Sequence, residues 1–597
     1  MRTIFLNTMA AVAVCFILSA GGANAQSNKK IKVFSVSFEG IEAYTSRRLS
    51  KVIITRPSKV FRPYYYIEDI FLDDLKSLEL FYRQNGYLEA QVTHYAVDID
   101  STEFTARVDI TVAEGDRTFI EGIGVLGNMV FPDSLLLTEI TVTGGDPFLR
   151  NRIDNSTLNL VTFYANNGYL DAEVRPDIRI DSESHRALID FYFIEKSQYT
   201  IGGIQLKGLD KTRRKVVMRE LVFDPDEIID YSRLLKSQQK IYMTGLFQSV
   251  FIRPQQSALG DSTKKDILIE LNEALTSEIN ASVGYGSIDR ARGKIELYNN
   301  NVKGTSLKLG LVGKISTIQS ALETSYSNPW LFGKPVHTDM NFLLEWKDEP
   351  GYNLKRIGGK MVIGHKFSNN NINMTFRNER TQLSQIKVEK LPDDMISNTR
   401  SIKLTFNSDS RDNLFNTSRG YFFETSSELG WFITGQNRRF VRVIGQFKYF
   451  YPISSLIYVG TSIEVGAMNT VGGLTSVPLH ERFYAGGPNS VRGFQYEKLG
   501  PLDSKRIPVG GRFKFVWNLI EVRRRIYKMI GGVVFADVGN VWLSYEDMRM
   551  NDLRSVVGLG IRVNTPIGLG RLDYGFIIDR QKDEPPGQLY FSMGQAF

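Results

Sequence analysis

From Ala274 onward, apolar and polar residues alternate in short runs separated by turn residues. In Ser277–Tyr285, the residues Ile279, Ala281, Val283 and Tyr285 fall on one face, and Glu278, Asn280, Ser282 and Gly284 on the other. A period of two belongs to an extended strand with unlike faces. Ser306–Val312, His337–Trp346, Ser401–Phe406 and Phe440–Tyr449 repeat the pattern. There are about 16 such runs, at about 20 residues per strand and connection, which suits tilted membrane strands of ~9–11 residues and the even strand number of a single-chain barrel. A soluble sandwich alternates in the same way, with its apolar face buried. The choice between the two rests on the rest of the chain.

Residues 26–273 have a different texture, with a repeat. Tyr82–Val92 (YRQNGYLEAQV) matches Tyr164–Val174 (YANNGYLDAEV) at a distance of 82 residues, and Tyr242–Val250 (YMTGLFQSV) is a looser third copy. A strand ending in glycine opens each unit, at Gly40, Gly127 and Gly208. A strand ending in an acid closes each, at Glu114, Glu195 and Glu273. Between these landmarks the pattern predicts strand, helix, helix, strand, strand. In the first unit Ile70, Leu75, Leu78 and Phe81–Tyr82 recur at helical spacing, and Gly86 suits a left-handed cap at the helix end. Ala106–Val112 alternates as a strand. Each unit reads as a small α+β domain of about 80 residues, two helices over three strands. The expected domains are 26–116, 117–197, 198–273 and, for the barrel, 274–597.

The N-terminus reads as an export signal, residues 1–25. Arg2 is followed by an apolar run from Met9 to Ala20 and by Ala23-Asn24-Ala25, a small-residue cleavage site. The run is too short to span a bilayer. Cys15 is the only cysteine, so no disulfide framework is expected. Export, an aromatic content of 12% and the unbroken series of alternating runs favour a 16-stranded transmembrane barrel over the sandwich. Net charge is +8, but its 73 Lys and Arg and 65 Asp and Glu are interspersed, which gives no case for nucleic acid.

Catalytic signatures are missing. The five histidines (His94, His185, His337, His365, His480) have no metal-ligand spacing, and there is no nucleophile elbow or phosphate loop. Gly284–Arg290 (GYGSIDR) lacks the third glycine of a dinucleotide site, and Asp224–Glu227 reads as a turn or helix start. The expectation is a protein that is not an enzyme and has no cofactor.

One long loop stands apart. Arg482–Phe494 (RFYAGGPNSVRGF) sets a single arginine, Arg492, among Val491, Gly493 and Phe494. Phe535–Trp542 (FADVGNVW) follows, with Asp537 able to pair with that arginine. On the strand count the loop joins strands 11 and 12, and FADVGNVW lies in strand 13. Val534, Ala536 and Val538 then face lipid, while Phe535, Asp537 and Gly539 face the lumen, because a carboxylate in lipid is costly. The expectation is a loop folded into the barrel.

Residues 31–273 resemble tandem POTRA domains. VRGF at 491–494, FxDxG at 535–539, Gly558–Gly575 and Asn328–Gly333 resemble segments of the BamA/TamA superfamily of outer-membrane β-barrel assembly proteins. The resemblance implies that Arg492 sits in the lumen beside Phe535 and Asp537, with Glu521 as a second partner. It implies a lateral seam between the first and last strands, here Ile279, Ala281, Val283 and Tyr285 against Phe591, Met593, Gly594 and Phe597. It implies an outer-membrane protein of a Gram-negative bacterium with the repeats in the periplasm. The clients it implies are unfolded outer-membrane β-barrel proteins, including autotransporters, to be inserted or translocated, and the further partners it implies are a periplasm-spanning inner-membrane protein or accessory lipoproteins. Three repeats rather than five lean toward the TamA-like branch. A two-partner secretion transporter and a passive channel are the alternatives.

Overall fold

The first repeat folds as β1 (Lys32–Glu39), α1 (Ser46–Leu49), α2 (Glu68–Gln84), β2 (Gln91–Asp100) and β3 (Thr105–Ala113). These come from a computed structural model that describes residues 31–58, 63–258, 260–389, 395–414, 417–433, 438–470, 477–527, 529–565 and 568–593. The export signal lies outside the described residues. Phe71, Leu75, Leu78 and Tyr82 share one side of α2 and pack with Val108, Ile110 and Val112 of β3. Gly86 ends the helix at φ +96°, and the N–H groups of Gly86 and Tyr87 turn back to the carbonyls of Arg83 and Tyr82 at 3.2 and 3.0 Å. β3 lies between a parallel β1 and an antiparallel β2, which leaves β1 and β2 as the sheet's edges.

The second repeat follows as β4 (Phe119–Leu126), α3 (Asp133–Glu139), α4 (Arg150–Asn166), β5 (Glu173–Asp181) and β6 (Arg186–Ile194). The third is β7 (Thr200–Lys207), α5 (Arg214–Met218), α6 (Tyr231–Met243), β8 (Phe247–Gln256) and β9 (Lys264–Glu273). Both sheets again place the last strand in the middle. The acid that closes each repeat holds the loop that follows its first strand. Glu114 accepts the N–H groups of Glu42 and Ala43 at 3.0 and 2.9 Å and the Tyr82 hydroxyl at 2.6 Å. Glu195 accepts the N–H groups of Met129 and Val130 and the Tyr164 hydroxyl at 2.6 Å. Glu273 accepts the N–H groups of Lys211 and Thr212 at 3.0 and 2.8 Å, but Tyr242, in the place of the other phenols, is 56% exposed. Burial and the carboxylate together push the Tyr82 and Tyr164 phenols far above their ordinary range, so they stay protonated and donate.

Two compact units result. One holds the first two repeats and part of the third, and the other holds the remainder of the third with the barrel. The end of β11 and the connection after β13 are bonded to the α5 region of the third repeat: Asn301 donates to the Thr212 hydroxyl at 2.8 Å, and the Trp330 indole donates to Glu220 at 2.8 Å.

The barrel closes on itself through 16 strands. They are β10 (Ser277–Gly286), β11 (Arg290–Val302), β12 (Leu307–Ser316), β13 (Gln319–Asn328), β14 (His337–Glu349), β15 (Tyr352–Phe367), β16 (Asn370–Ser384) and β17 (Ile396–Asp409). Then come β18 (Gly420–Ile433), β19 (Arg438–Pro452), β20 (Ile457–Thr470), β21 (Phe513–Tyr527), β22 (Ile530–Trp542), β23 (Arg554–Thr565), β24 (Gly568–Ile577) and β25 (Gly587–Met593). The faces are inside out for a soluble protein. On β17, Ser401 and Thr405 are buried while Ile402 and Leu404 are 41% and 53% exposed. An exterior belt of exposed Leu, Ile, Val and Phe around a polar interior is the arrangement a bilayer selects. Among the described residues no helix is long and apolar enough to cross a membrane, so the strands make the crossing.

Candidate functional site in the barrel lumen

The connection between β20 and β21, described from Val477 to Arg512, folds inward. Its Val477, Phe483, Ala485, Val491, Phe494 and Leu499 are buried against Val516, Val533, Phe535, Val541, Val556 and Ile577 of the wall. The loop is thus part of the barrel's own apolar core, and short bridges (Phe483 with Gly511, Ala485 with Leu499) fold it on itself.

Arg492 lies at the loop's contact with the wall, 3% exposed. Its guanidinium donates to both oxygens of Asp537 at 2.7 Å from Nε and Nη2, and its backbone N–H reaches the same carboxylate at 3.2 Å. Nη1 pairs with Glu521, which also holds Arg523. The Arg492 guanidinium stacks over the Phe535 ring at 3.4 Å. Asp537 is wholly buried and takes a further bond from Asn518 at 2.9 Å, while a second hydrogen of that amide donates to the Ser490 carbonyl at 2.9 Å. A planar fork of donors between two carboxylates is a task for arginine and not for lysine.

Alternation along β22 accounts for this placement. Phe535, Asp537 and Gly539 are buried, Val534 is exposed, and Ala536 and Val538 are intermediate. Gly493 has no side chain because a Cβ there would lie 2.6 Å from Val556, and Gly575 faces the same stretch of loop backbone.

The structure contains a second anchor of the loop that sequence reasoning missed. Glu481, 6% exposed, accepts from Arg377 at 2.8 Å and from Arg442, whose Nη2 also reaches the Glu481 carbonyl at 2.8 Å. Both arginines also bond Glu428, at 2.7 and 3.3 Å. Two further ties went unread: the Tyr590 hydroxyl of β25 donates to the Phe494 carbonyl at 2.7 Å, and Arg571 of β24 donates to the Pro488 carbonyl at 2.7 Å. Carboxylates within strands, such as Glu428 and Asp573, carry the signal that placed Asp537: they must face inward. Which loop residue meets them was not in the sequence.

The seam between β10 and β25 is narrow. Among the described residues two pairs join it, Tyr285 with Met593 and Gly286 with Ser592, against fifteen pairs between β15 and β16. Ser287 adds bonds to the Phe591 backbone, including one of 2.6 Å to its own hydroxyl, and the Tyr285 and Phe591 rings sit 6.2 Å apart. Ile279, Val283 and Tyr285 are 75%, 83% and 53% exposed on the lipid side, and Ala281 is also exposed. Gly594 and Phe597 lie outside the described residues. Gly587–Tyr590 of β25 have no partner strand on that side among the described residues, which leaves backbone donors and acceptors at an edge.

Comparison with known proteins agrees with this architecture. Residues 301–597 match the Omp85 superfamily domain, and residues 31–115 and 118–196 match the POTRA domain, described as a surface antigen variable number repeat. The chain is 23% identical to outer membrane protein assembly factor BamA of Nitratidesulfovibrio vulgaris over 96% of its length and 74% of that protein's. It is 21% identical to the BamA of Neisseria meningitidis serogroup B, over 95% of its length and 78% of that protein's. The crystal structure of BamA from Haemophilus ducreyi lacking POTRA domains 1-3 superposes with a TM-score of 0.68, at 19% identity, over 80% of this chain and all of that one.

Proposed function

The chain belongs to the BamA/TamA superfamily of Omp85 proteins, and from that premise we propose that it assembles β-barrel proteins into the outer membrane, without catalysis, at the seam between β10 and β25. It is an outer-membrane protein with its POTRA domains in the periplasm. All the relatives described above carry the BamA name, and none supports the TamA-like branch expected from the count of repeats.

The observation that carries the proposal is the seam beside a buried loop lock, where two residue pairs join β10 to β25 among the described residues and Gly587–Tyr590 of β25 have no partner strand on that side. The unpartnered edge of β25 can accept an extended client strand whatever its sequence. Unfolded client segments first add to the exposed edges β1, β2, β4 and β5 of the repeats. They then pair at the seam, where each new strand completes backbone hydrogen bonds and turns an apolar face to lipid. The loop bridging the lumen keeps the barrel wall rigid while the seam moves. It also works against passage of an extended chain through the lumen, as a two-partner secretion transporter would require. Accessory lipoproteins or a periplasm-spanning inner-membrane protein are partners of this reading.

The test is client folding in liposomes. Reconstituted protein should speed the protease protection of an unfolded outer-membrane barrel, and Arg492→Ala should lose most of that gain. Protection no faster than in empty liposomes, together with steady ion conductance, would favour a passive channel.

A further inference from the structure

Beside the loop lock is a recess of about 290 Å³ in the lumen, walled by β19–β21, β23, β24 and the loop. The lock does not use all of its charge. Five cations line it, namely Lys448, Arg492, Arg523, Arg562 and Arg571. The carboxylates those cations engage are three: Asp537, Glu521 and Asp573. The remaining lining acid, Glu464, is taken by Lys514 at 2.8 Å. Arg562 and Arg571 share the single Asp573, at 2.6 and 3.1 Å. Lys448, on β19, lines the recess and makes no salt bridge among the described residues, while the carboxylates of Glu464, Glu424 and Asp409 act on it from longer range. Phe450 and Leu569 are among the apolar residues of the wall, so the recess offers apolar surface next to positive charge that is only partly compensated.

From this geometry we infer that the recess binds the carboxylate of an extended peptide, with Lys448 as the free cation and Phe450 and Leu569 holding a neighbouring apolar side chain. Two cations beyond the carboxylates they engage, in a concave site inside the lumen, favour an anion over a cation. The half-apolar wall favours a carboxylate attached to an apolar chain over a free inorganic ion. The recess also adjoins the seam. Arg571 stands opposite Ser592 in the β24–β25 register, and Ser592 stands opposite Gly286 across the seam. The row from recess to seam is therefore one residue wide on each strand, about 10 Å at strand spacing. The source of the peptide, a client of the proposed assembly activity, rests on that reading, but the binding itself does not.

The test uses the full chain in detergent micelles and fluorescent peptides of one apolar, alternating sequence. One arm ends in a free carboxylate and its control in an amide; the other arm, amidated, carries an internal Glu and its control a Gln. Tighter binding of either carboxylate form than of its control supports the site, and the arm that shows it identifies a terminal or a side-chain carboxylate. Lys448→Gln should weaken the carboxylate form about three- to fivefold, the worth of one partly solvated ion pair, and leave the control peptides unchanged. Lys448→Glu should weaken it further. Equal binding of acid and control peptides, or carboxylate binding untouched in both Lys448 variants, would overturn the inference. Client insertion by the wild-type chain alongside that result would leave the proposed function standing without this site.

Discussion

Arg492→Ala removes the one cation that faces a wholly buried Asp537, and its consequence is predicted to be local. Three of the bonds to Asp537 come from Arg492, and Asn518 supplies the only other one seen. Stripping a buried carboxylate of its partner costs about 3–5 kcal/mol. The backbone bond from residue 492 survives, which argues for the lower half of that range. At ~1.4 kcal/mol per tenfold, the ratio of docked to undocked loop should fall by about two to three orders of magnitude. The Glu481 anchor, however, is on the far wall, bonded to Arg377 and Arg442, and does not touch Arg492. Hydrogen exchange of the reconstituted barrel should therefore show lost protection around residues 486–499, while residues 479–485 stay protected. Arg492→Lys should fall between wild type and alanine, since an ammonium cannot bridge two carboxylates in a fork. Unchanged protection at 486–499, or equal loss across the whole loop, would refute the two-anchor reasoning.

Other consequences follow from the same contacts. Glu481→Gln should reverse the exchange pattern, freeing residues 479–485 first, because Arg377 and Arg442 keep only Glu428 and Glu379 as acidic partners. Gly493→Ala should mimic a weak Arg492→Ala in the same exchange experiment, because its methyl has to displace Val556 from 2.6 Å. Tyr82→Phe and Tyr164→Phe should each destabilise their repeat by about 1–2 kcal/mol by leaving part of a shielded carboxylate without its donor, while Tyr242→Phe should be near neutral; thermal unfolding of the full chain would rank them. The Asp171 carboxyl is held below its ordinary value, chiefly by the hydrogen bond from Lys265 and also by that from Tyr199. A depressed folded value adds stability above the unfolded carboxylate range that is lost as pH falls through the folded value. Acid below about pH 4 should thus loosen the link between the second and third repeats, and Lys265→Gln should remove the step, as read by protease cleavage near residue 199.

Much of this architecture could be read from the sequence because period-two alternation and an 82-residue repeat survive without any knowledge of contacts. The inward face of β22 followed from the cost of placing Asp537 in lipid. Glu481 escaped because it sits in a one-turn 3-10 helix, Leu479–Glu481, where no periodicity constrains its direction. Arg377 and Arg442 are unremarkable members of alternating strands three apart in the wall, and only the inward fold of the loop brings Glu481 to both. The Tyr590 hydroxyl ties β25 to the Phe494 carbonyl across 96 residues, a link that no local pattern announces. The bonds from Asn301 and Trp330 to the third repeat join residues that no local pattern relates.

The central claim is that clients enter the membrane through the parting of β10 from β25. Cys15 is the chain's one cysteine and lies in the predicted export signal, so a pair introduced at Gly286 and Ser592, which face each other across the seam, would form in a background otherwise free of thiols. The measurement is client protease protection in liposomes with this variant, oxidised and then reduced. The account predicts protection at the empty-liposome rate when the seam is locked and at the wild-type rate once the disulfide is reduced. Equal acceleration in both states would contradict it.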